Sequence, residues 1–168
     1  MSIVDPILAE FDHESKTTRR VLERVPGDKL AWKPHAKSMS LGQLALHIAQ
    51  VPGNIAGFVT GPVYERPKDA PFGQKEAAST SEIMAAFDAS LVRVKDVLRG
   101  LDDATVMSMW SFKAGDKTVM SMPRLAVIRN IMLNHWYHHR GQLSVYLREL
   151  DVPVPSIYGP SADENPFA

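Results

Sequence analysis

His135 and His139 stand four residues apart in a segment whose apolar residues recur at helical spacing. Residues at i and i+4 lie one above the other on a helix face, with Cβ atoms about 5–6 Å apart. Two neutral imidazoles so placed can chelate one metal ion. A ring nitrogen binds zinc at about 2.0–2.1 Å and also suits nickel, iron and copper. A third histidine, His47, borders the apolar stripe of an earlier helical segment. Three nitrogens would leave a coordination position open for water, the pattern of catalytic rather than structural zinc. An ion held that way lowers the pKa of a bound water or thiol and gives a nucleophile near neutral pH. The competing reading is that these are core histidines bonded to carbonyls.

The helix that must position the pair spans roughly 122–150 and starts at Ser121 or Met122 with Pro123. Its apolar residues are Leu125, Ile128, Met132, Leu143, Leu147 and Leu150. Steps of three and four carry that stripe through His135, His139 and Gln142, polar side chains where the pattern asks for leucine. Gln142 could reach the ion's water or a substrate. His138, about 100° around from His139, is a proton carrier or a packing or surface residue. Arg140 points off the ligand face and serves an anionic substrate group or a structural ion pair. Gly141 costs about 1 kcal/mol against alanine in a helix interior; close approach of another element would explain it, and so would tolerance.

His47 belongs to a helix opened by Ser40-Leu41-Gly42-Gln43, the spacing of a capping box. The stripe there is Leu44, Ile48, Val51, Ile55 and Phe58. Pro52-Gly53 interrupts it, and proline removes a helix hydrogen bond. A kink or break is predicted just after His47.

Two further helices complete the set. Asp5-Pro6 supplies an N-cap acceptor and a first-turn proline. That helix runs to about Val25 and stops at Pro26-Gly27, with Leu8, Phe11, Ser15, Thr18, Leu22 and Val25 as its buried face. Ser15 and Thr18 face a polar cavity or bond back to helix carbonyls. His13 is off the stripe and solvated. Another helix follows the capping sequence Ser79-Thr80-Ser81-Glu82, with the uninterrupted stripe Ile83, Phe87, Leu91, Val94, Leu98 and Leu101.

The connectors are long. Residues 26–40 hold Trp32, Pro34 and His35, the last without a partner at metal spacing. Residues 61–79 read as a loop. Within 102–121, Trp110, Phe112, the turn around Gly115, Thr118 and Met120 suggest a short hairpin. After Leu150 come Pro153, Pro155, Pro160 and Pro166, so the tail is extended, and Val152, Val154, Ile157 and Tyr158 fold it back onto the body. The architecture expected is one all-α domain over residues 1–168, a four-helix bundle with long connectors and an extended, proline-rich C-terminal tail. Bundles often build metal sites in their cores.

Composition narrows the partners. Lys+Arg and Asp+Glu are both 19, so no net charge attracts nucleic acid or an anionic membrane. No apolar run approaches the about 18–20 residues of a membrane span. Asp5 and Glu10 do not suit a signal sequence, and the expected location is cytoplasmic. There is no cysteine, which removes disulfides, thiolate ligands and a cysteine nucleophile.

The block His135-x-x-His138-His139-Arg140-Gly141-Gln142-Leu143 resembles the DinB-like family of bacterial four-helix-bundle proteins. So do Trp32-Lys33-Pro34, Leu44-Ala45-Leu46-His47-Ile48-Ala49 and the ending Ile157-Tyr158-Gly159-Pro160-Ser161-Ala162-Asp163-Glu164. The likeness covers essentially the whole chain. It implies that His47, His135 and His139 are the metal ligands, that the ion is zinc or nickel, and that the protein forms a homodimer. Nitrogen-only coordination also admits iron or manganese. Related branches include bacillithiol S-transferases and mycothiol-dependent maleylpyruvate isomerases, so a low-molecular-weight thiol is a candidate cofactor. No additional motif ties this chain to either thiol branch. The family name refers to DNA-damage induction and implies no DNA binding. Two functions follow. In one, a metal-activated thiol or water attacks a small electrophilic substrate. In the other, the ion or the histidine cluster only supports the bundle or a partner interface. The hydrophobic connector residues Trp110, Phe112, Met120 and Met122 suggest a surface for the dimer.

Overall fold

The computed structural model describes residues 2–67 and 73–167, and the chain there is mostly helical. Its long helices are α1 (Val4–Leu22), α2 (Leu41–Phe58) and α3 (Thr80–Arg99). A short α4 (Asp103–Met107) leads into a hairpin. The last long helix has three parts: α5 (Arg124–Ala126), a wide π-helical stretch (Val127–Asn134) and α6 (His135–Glu149). α2 packs against α3 and α6, and α1 packs against the same two. The enclosed core centres on Phe11, Leu44, Ile48, Phe87, Ile128 and Trp136. Phe11 and Trp136 stack at 5.3 Å.

Local chemistry sets the helix ends. Ser40 and Gln43 form the full capping box: Ser40 Oγ accepts the Gln43 N–H at 3.0 Å, and the Gln43 side chain accepts the Ser40 N–H at 2.9 Å. Ser79 caps α3 by accepting the Glu82 N–H at 3.1 Å. The reciprocal bond differs from a capping box, because Glu82 takes the N–H of Ala78 instead. α1 starts before the expected Asp5 cap. Its first residues are tied down from α4, where Asp103 accepts the N–H of Ile3 at 2.9 Å. α1 ends at Leu22, short of Val25, and a tighter turn carries the chain to Pro26.

α2 runs through Pro52, so the predicted break does not occur. The proline lacks the N–H that the Ile48 carbonyl would take. That carbonyl instead accepts the indole N–H of Trp136 at 2.9 Å. The next amide, Gly53 N–H, donates to Ser90 Oγ of α3 at 2.7 Å. A Cβ at Gly53 would sit 2.8 Å from that oxygen, so glycine is what lets α2 and α3 approach here.

The all-α expectation needs correction, because the described residues include three strands. β2 (Met109–Ala114) pairs antiparallel with β3 (Lys117–Pro123) around Gly115, whose φ of +59° suits glycine. β1 (Val63–Glu65) pairs in parallel with β2 and lies in the stretch read as a loop; residues 68–72 of that stretch are outside the described residues. β3 holds Ser121 to Pro123 in strand pairing, so the helix starts at Arg124 and not at Ser121 or Met122. Strands alternate sides, and the sheet turns Tyr64, Trp110, Phe112, Met120 and Met122 toward the helices. Trp110 is buried and donates its indole N–H to the Phe58 carbonyl at 2.9 Å. The connector residues Trp110, Phe112, Met120 and Met122, which suggest a dimer surface in the sequence, are therefore largely covered within the chain. Arg124, also buried, donates Nε–H to the Val59 carbonyl at 2.9 Å and ties the last helix to the end of α2.

Beyond Leu150 the described residues form neither helix nor strand. Val154 and Ser156 are buried. Glu164 is held by Arg20 and by Arg24, the latter at 3.0 Å, and Asp163 by Arg148.

Candidate metal centre

His47 lies in the second turn of α2, and His135 and His139 begin α6. Their rings converge: centroids are 4.4 Å apart for His135–His139, 4.6 Å for His47–His139 and 5.3 Å for His47–His135. One nitrogen from each can be chosen so that all three lie within 4.8 Å of one another. Such a group could hold a metal ion. Trp136 and Ile48, the residues next to His135 and His47, are joined by the hydrogen bond that replaces the one lost to Pro52. The two helices are thus registered at the level of the site.

The rings also have neighbours outside the triad. His139 Nδ1 pairs with Gln142 Oε1 at 2.7 Å. Fixing one nitrogen as a donor leaves the other as a lone pair. The Ile131 backbone beside the His135 ring and the Gln74 side chain beside the His47 ring each favour the protonated ring, against the effect of burial. The Nε2 atoms of His135 and His139 face each other at 2.6 Å. Two lone pairs that close repel unless a cation, proton or metal, sits between them. Tetrahedral coordination at about 2.0–2.1 Å spaces two nitrogens about 3.3–3.4 Å apart, so the rings need to part by less than about 1 Å. The residues fit a metal ion.

All three rings are biased toward the neutral form that metal binding requires. Burial pushes the His47 pKa down to about 4, helped by the neighbouring His139 and His135. Burial also lowers His135 and His139, and nearby histidines add to the effect.

The DinB family's sequence model matches residues 1–166. This chain belongs to the DinB family. Its relatives include the uncharacterized protein YrdA of Bacillus subtilis (strain 168), 24% identical over 163 residues that cover 96% of this chain and 91% of YrdA. A DinB-like protein from Bacillus cereus ATCC 10987 shares the fold with a TM-score of 0.70 at 22% identity, covering 90% of this chain and 95% of that one. The DinB-like protein YjoA from Bacillus subtilis gives 0.67 at 21% identity, covering 91% and 97%.

The structure shifts the buried face of the last helix in this DinB-family chain and decides between the alternatives left open for several residues. The buried face of the last helix runs through Val127, Ile128, Met132, Leu133, Trp136, Arg140, Leu143 and Leu147. The histidines flank that face, half-buried, and Leu125 leaves it. A π turn holds an extra residue, which shifts the phase of what precedes it by about 100°. The carboxylates of α1 and α3 at Glu10, Glu14 and Asp88 pair with groups other than the histidine rings. Glu10 binds Arg129 and the Tyr137 hydroxyl, Glu14 binds Arg140 at 2.7 Å and Tyr158, and Asp88 binds Arg19. Arg140 is 1% exposed and sits in a structural ion pair, with Thr18 Oγ1 accepting a further N–H at 3.0 Å. Ser15 bonds back to the Phe11 carbonyl at 2.6 Å. Among the described residues, no neighbouring atom within 4 Å would meet a Cβ at Gly141, so that glycine is tolerated and not required. His138, His13 and His35 are exposed, and His35 Nδ1 accepts the N–H of Lys37. Gln74 was not legible as a ring partner, because no local pattern links a loop residue to a helix 27 positions earlier.

Proposed function

We propose that this DinB-family protein is a divalent-metal-dependent enzyme acting on a small electrophilic substrate, in the manner of a thiol S-transferase or a hydrolase. His47, His135 and His139 are its metal ligands, and zinc or nickel is the ion best suited to them, with iron or manganese admitted by the same donors. The domain is a single four-helix bundle over residues 1–168. The observation that carries the reading is the convergence of three neutral-biased imidazoles, one of them held by Gln142. Among the described residues, no other His, Cys, Asp or Glu joins the group. The donor set therefore leaves a coordination position for a small molecule. A bound divalent ion would lower the pKa of a thiol or water at that position. The protein's part is to keep three lone pairs aimed at one point and the rings uncharged.

The test is metal analysis of tag-free protein, followed by assays with a low-molecular-weight thiol and an electrophile. Stoichiometric metal that persists in a His47→Ala, His139→Ala double variant would overturn the ligand assignment. A second reading, a non-catalytic ion that supports the bundle or a partner interface, draws on one observation. Glu10 and Glu14, carboxylates that could have served as bases, are engaged in ion pairs. Chelation that lowers Tm steeply while no thiol-dependent or hydrolytic activity responds would favour it.

We further propose a cytoplasmic homodimer that binds no nucleic acid. Among the described residues, no helix is long and apolar enough to cross a membrane. Sedimentation showing only monomer at micromolar concentration would overturn the dimer.

A further inference from the structure

Between the sheet and the last long helix lies a pocket of about 200 Å3 with a wholly apolar wall. Ile55 and Phe58 of α2, Tyr64 of β1, Phe112 of β2, Met120 of β3 and Ile131 of the π-helical stretch line it. Three of its rings are stacked in series: Phe58 on Tyr64 at 3.8 Å, and Tyr64 on Phe112 at 5.7 Å. That stack spans α2, β1 and β2, so three elements share the aromatic wall. The Trp110 indole N–H, which borders the pocket, is spent on the Phe58 carbonyl.

We infer that this pocket binds the uncharged aromatic ring of the substrate, resting on the reading of the histidine triad as a metal-dependent active site. Water is a poor occupant, because it needs two to four polar partners and the wall offers none. A charged group would be buried without a counter-ion. The volume suits one ring: an apolar cavity of about 150 Å3 holds benzene. Position links the pocket to the triad. Ile131 lies four residues before His135 on the same continuous helix. Ile55 lies two turns beyond His47 on the facing helix. Pocket and triad thus lie along the same two helices, α2 and the last helix, so a substrate that spans them would seat its ring here and its reactive atom at the triad. The substrate class is therefore a small electrophile carrying a single aromatic ring.

Toluene is the probe. Metal-free wild-type protein is titrated with it, followed by calorimetry and by the methyl resonances of Met120 and Ile131. Binding is expected, and Ile55→Phe, which fills the pocket, weakens it by about tenfold or more. Met120→Ala enlarges the space and shifts preference from toluene to naphthalene. Absence of toluene binding in the wild type, or equal binding in a folded Ile55→Phe, overturns the inference whatever the metal analysis gives. Cobalt(II)-loaded protein is then expected to speed relaxation of the bound toluene protons. Loaded protein that leaves them unaffected removes the ring from the reaction and overturns the substrate assignment. Protein that binds toluene and takes up no metal instead retires the metal-enzyme reading while the apolar site stands.

Discussion

The indole N–H of Trp136 donates to the carbonyl of Ile48 across 2.9 Å of buried space. Pro52 makes that carbonyl available, because a proline four residues on has no N–H to offer it. A residue that ought to have broken α2 thus becomes an attachment point for α6. Each partner is the sequence neighbour of a triad histidine, so the bond that repairs the helix also sets the height of His47 against His135.

Trp136→Phe tests this relation. It keeps an aromatic ring against Phe11 and removes the donor, leaving a buried carbonyl unpaired. The expected loss is about 1–3 kcal/mol of stability, read from urea unfolding. Pro52→Ala restores an intrahelical N–H for the same carbonyl, so Trp136→Phe should cost less in that background. Strictly additive effects in the double-mutant cycle would show that the two residues are not coupled through Ile48.

Gln142 and Gln74 make a second test. Gln142 bonds the His139 ring, and Gln74 lies beside the His47 ring and favours its protonated form. Loss of such a partner typically weakens metal binding about 10–100-fold. Gln142→Leu and Gln74→Leu are each expected in that range by competition with a chromophoric chelator, whereas His139→Ala removes binding. Unchanged affinity in both glutamine variants would mean that the rings are held by packing alone.

Protonation supplies a third. The His47 pKa falls from an ordinary 6.5 to about 4 in the folded protein, chiefly through burial. The unfolded chain therefore binds the proton more readily, and stability must fall as pH drops from about 6.5 toward about 4. Below that window this group adds no further loss. His135 and His139 are lowered too and act in the same direction. Metal-free wild-type protein should lose stability between pH 7 and 5 more steeply than His47→Asn. With the ion bound, protons and metal compete for the same lone pairs, so metal release should accompany acidification. Equal pH slopes for wild type and variant would remove His47 from the account.

Local chemistry made part of this structure legible in the sequence. Ser40 and Gln43 announce their capping box because the bonds join residues three apart. The hairpin at Gly115 shows for the same reason. The histidine pair was readable as an i, i+4 pair, and His47 as a third polar residue beside an apolar stripe. What escaped depends on distance along the chain. β1 is three residues long and gains its identity only by pairing with β2, more than 40 residues away. Ser90 sits where an apolar stripe allows it, and its task of receiving the Gly53 N–H is visible only once α2 and α3 touch. The π-helical stretch hid the true buried face, since a 3.6-residue period assumes no extra residue. The buried face therefore runs through Trp136 and Arg140, and the histidines flank it half-buried.

Arg140 carries the last prediction. It lies within the histidine block, which invites a role in holding an anionic substrate, yet it is 1% exposed and pairs with Glu14 at 2.7 Å. It also meets Thr18 of α1 and the hydroxyl of Tyr158 from the C-terminal tail. Its work is to join three parts of the chain behind the site. Arg140→Met leaves the Glu14 carboxylate buried without its partner, and breaking such a pair costs about 3–5 kcal/mol. Replacing both members, Glu14→Leu with Arg140→Met, removes the two desolvated charges together and is often neutral or stabilising. The double variant should therefore recover most of what the single one loses in urea unfolding. Metal stoichiometry and affinity are expected to match wild type in that recovered protein, because neither residue touches the triad. A double variant that regains stability but loses substrate affinity, with metal retained, would instead place Arg140 in substrate binding.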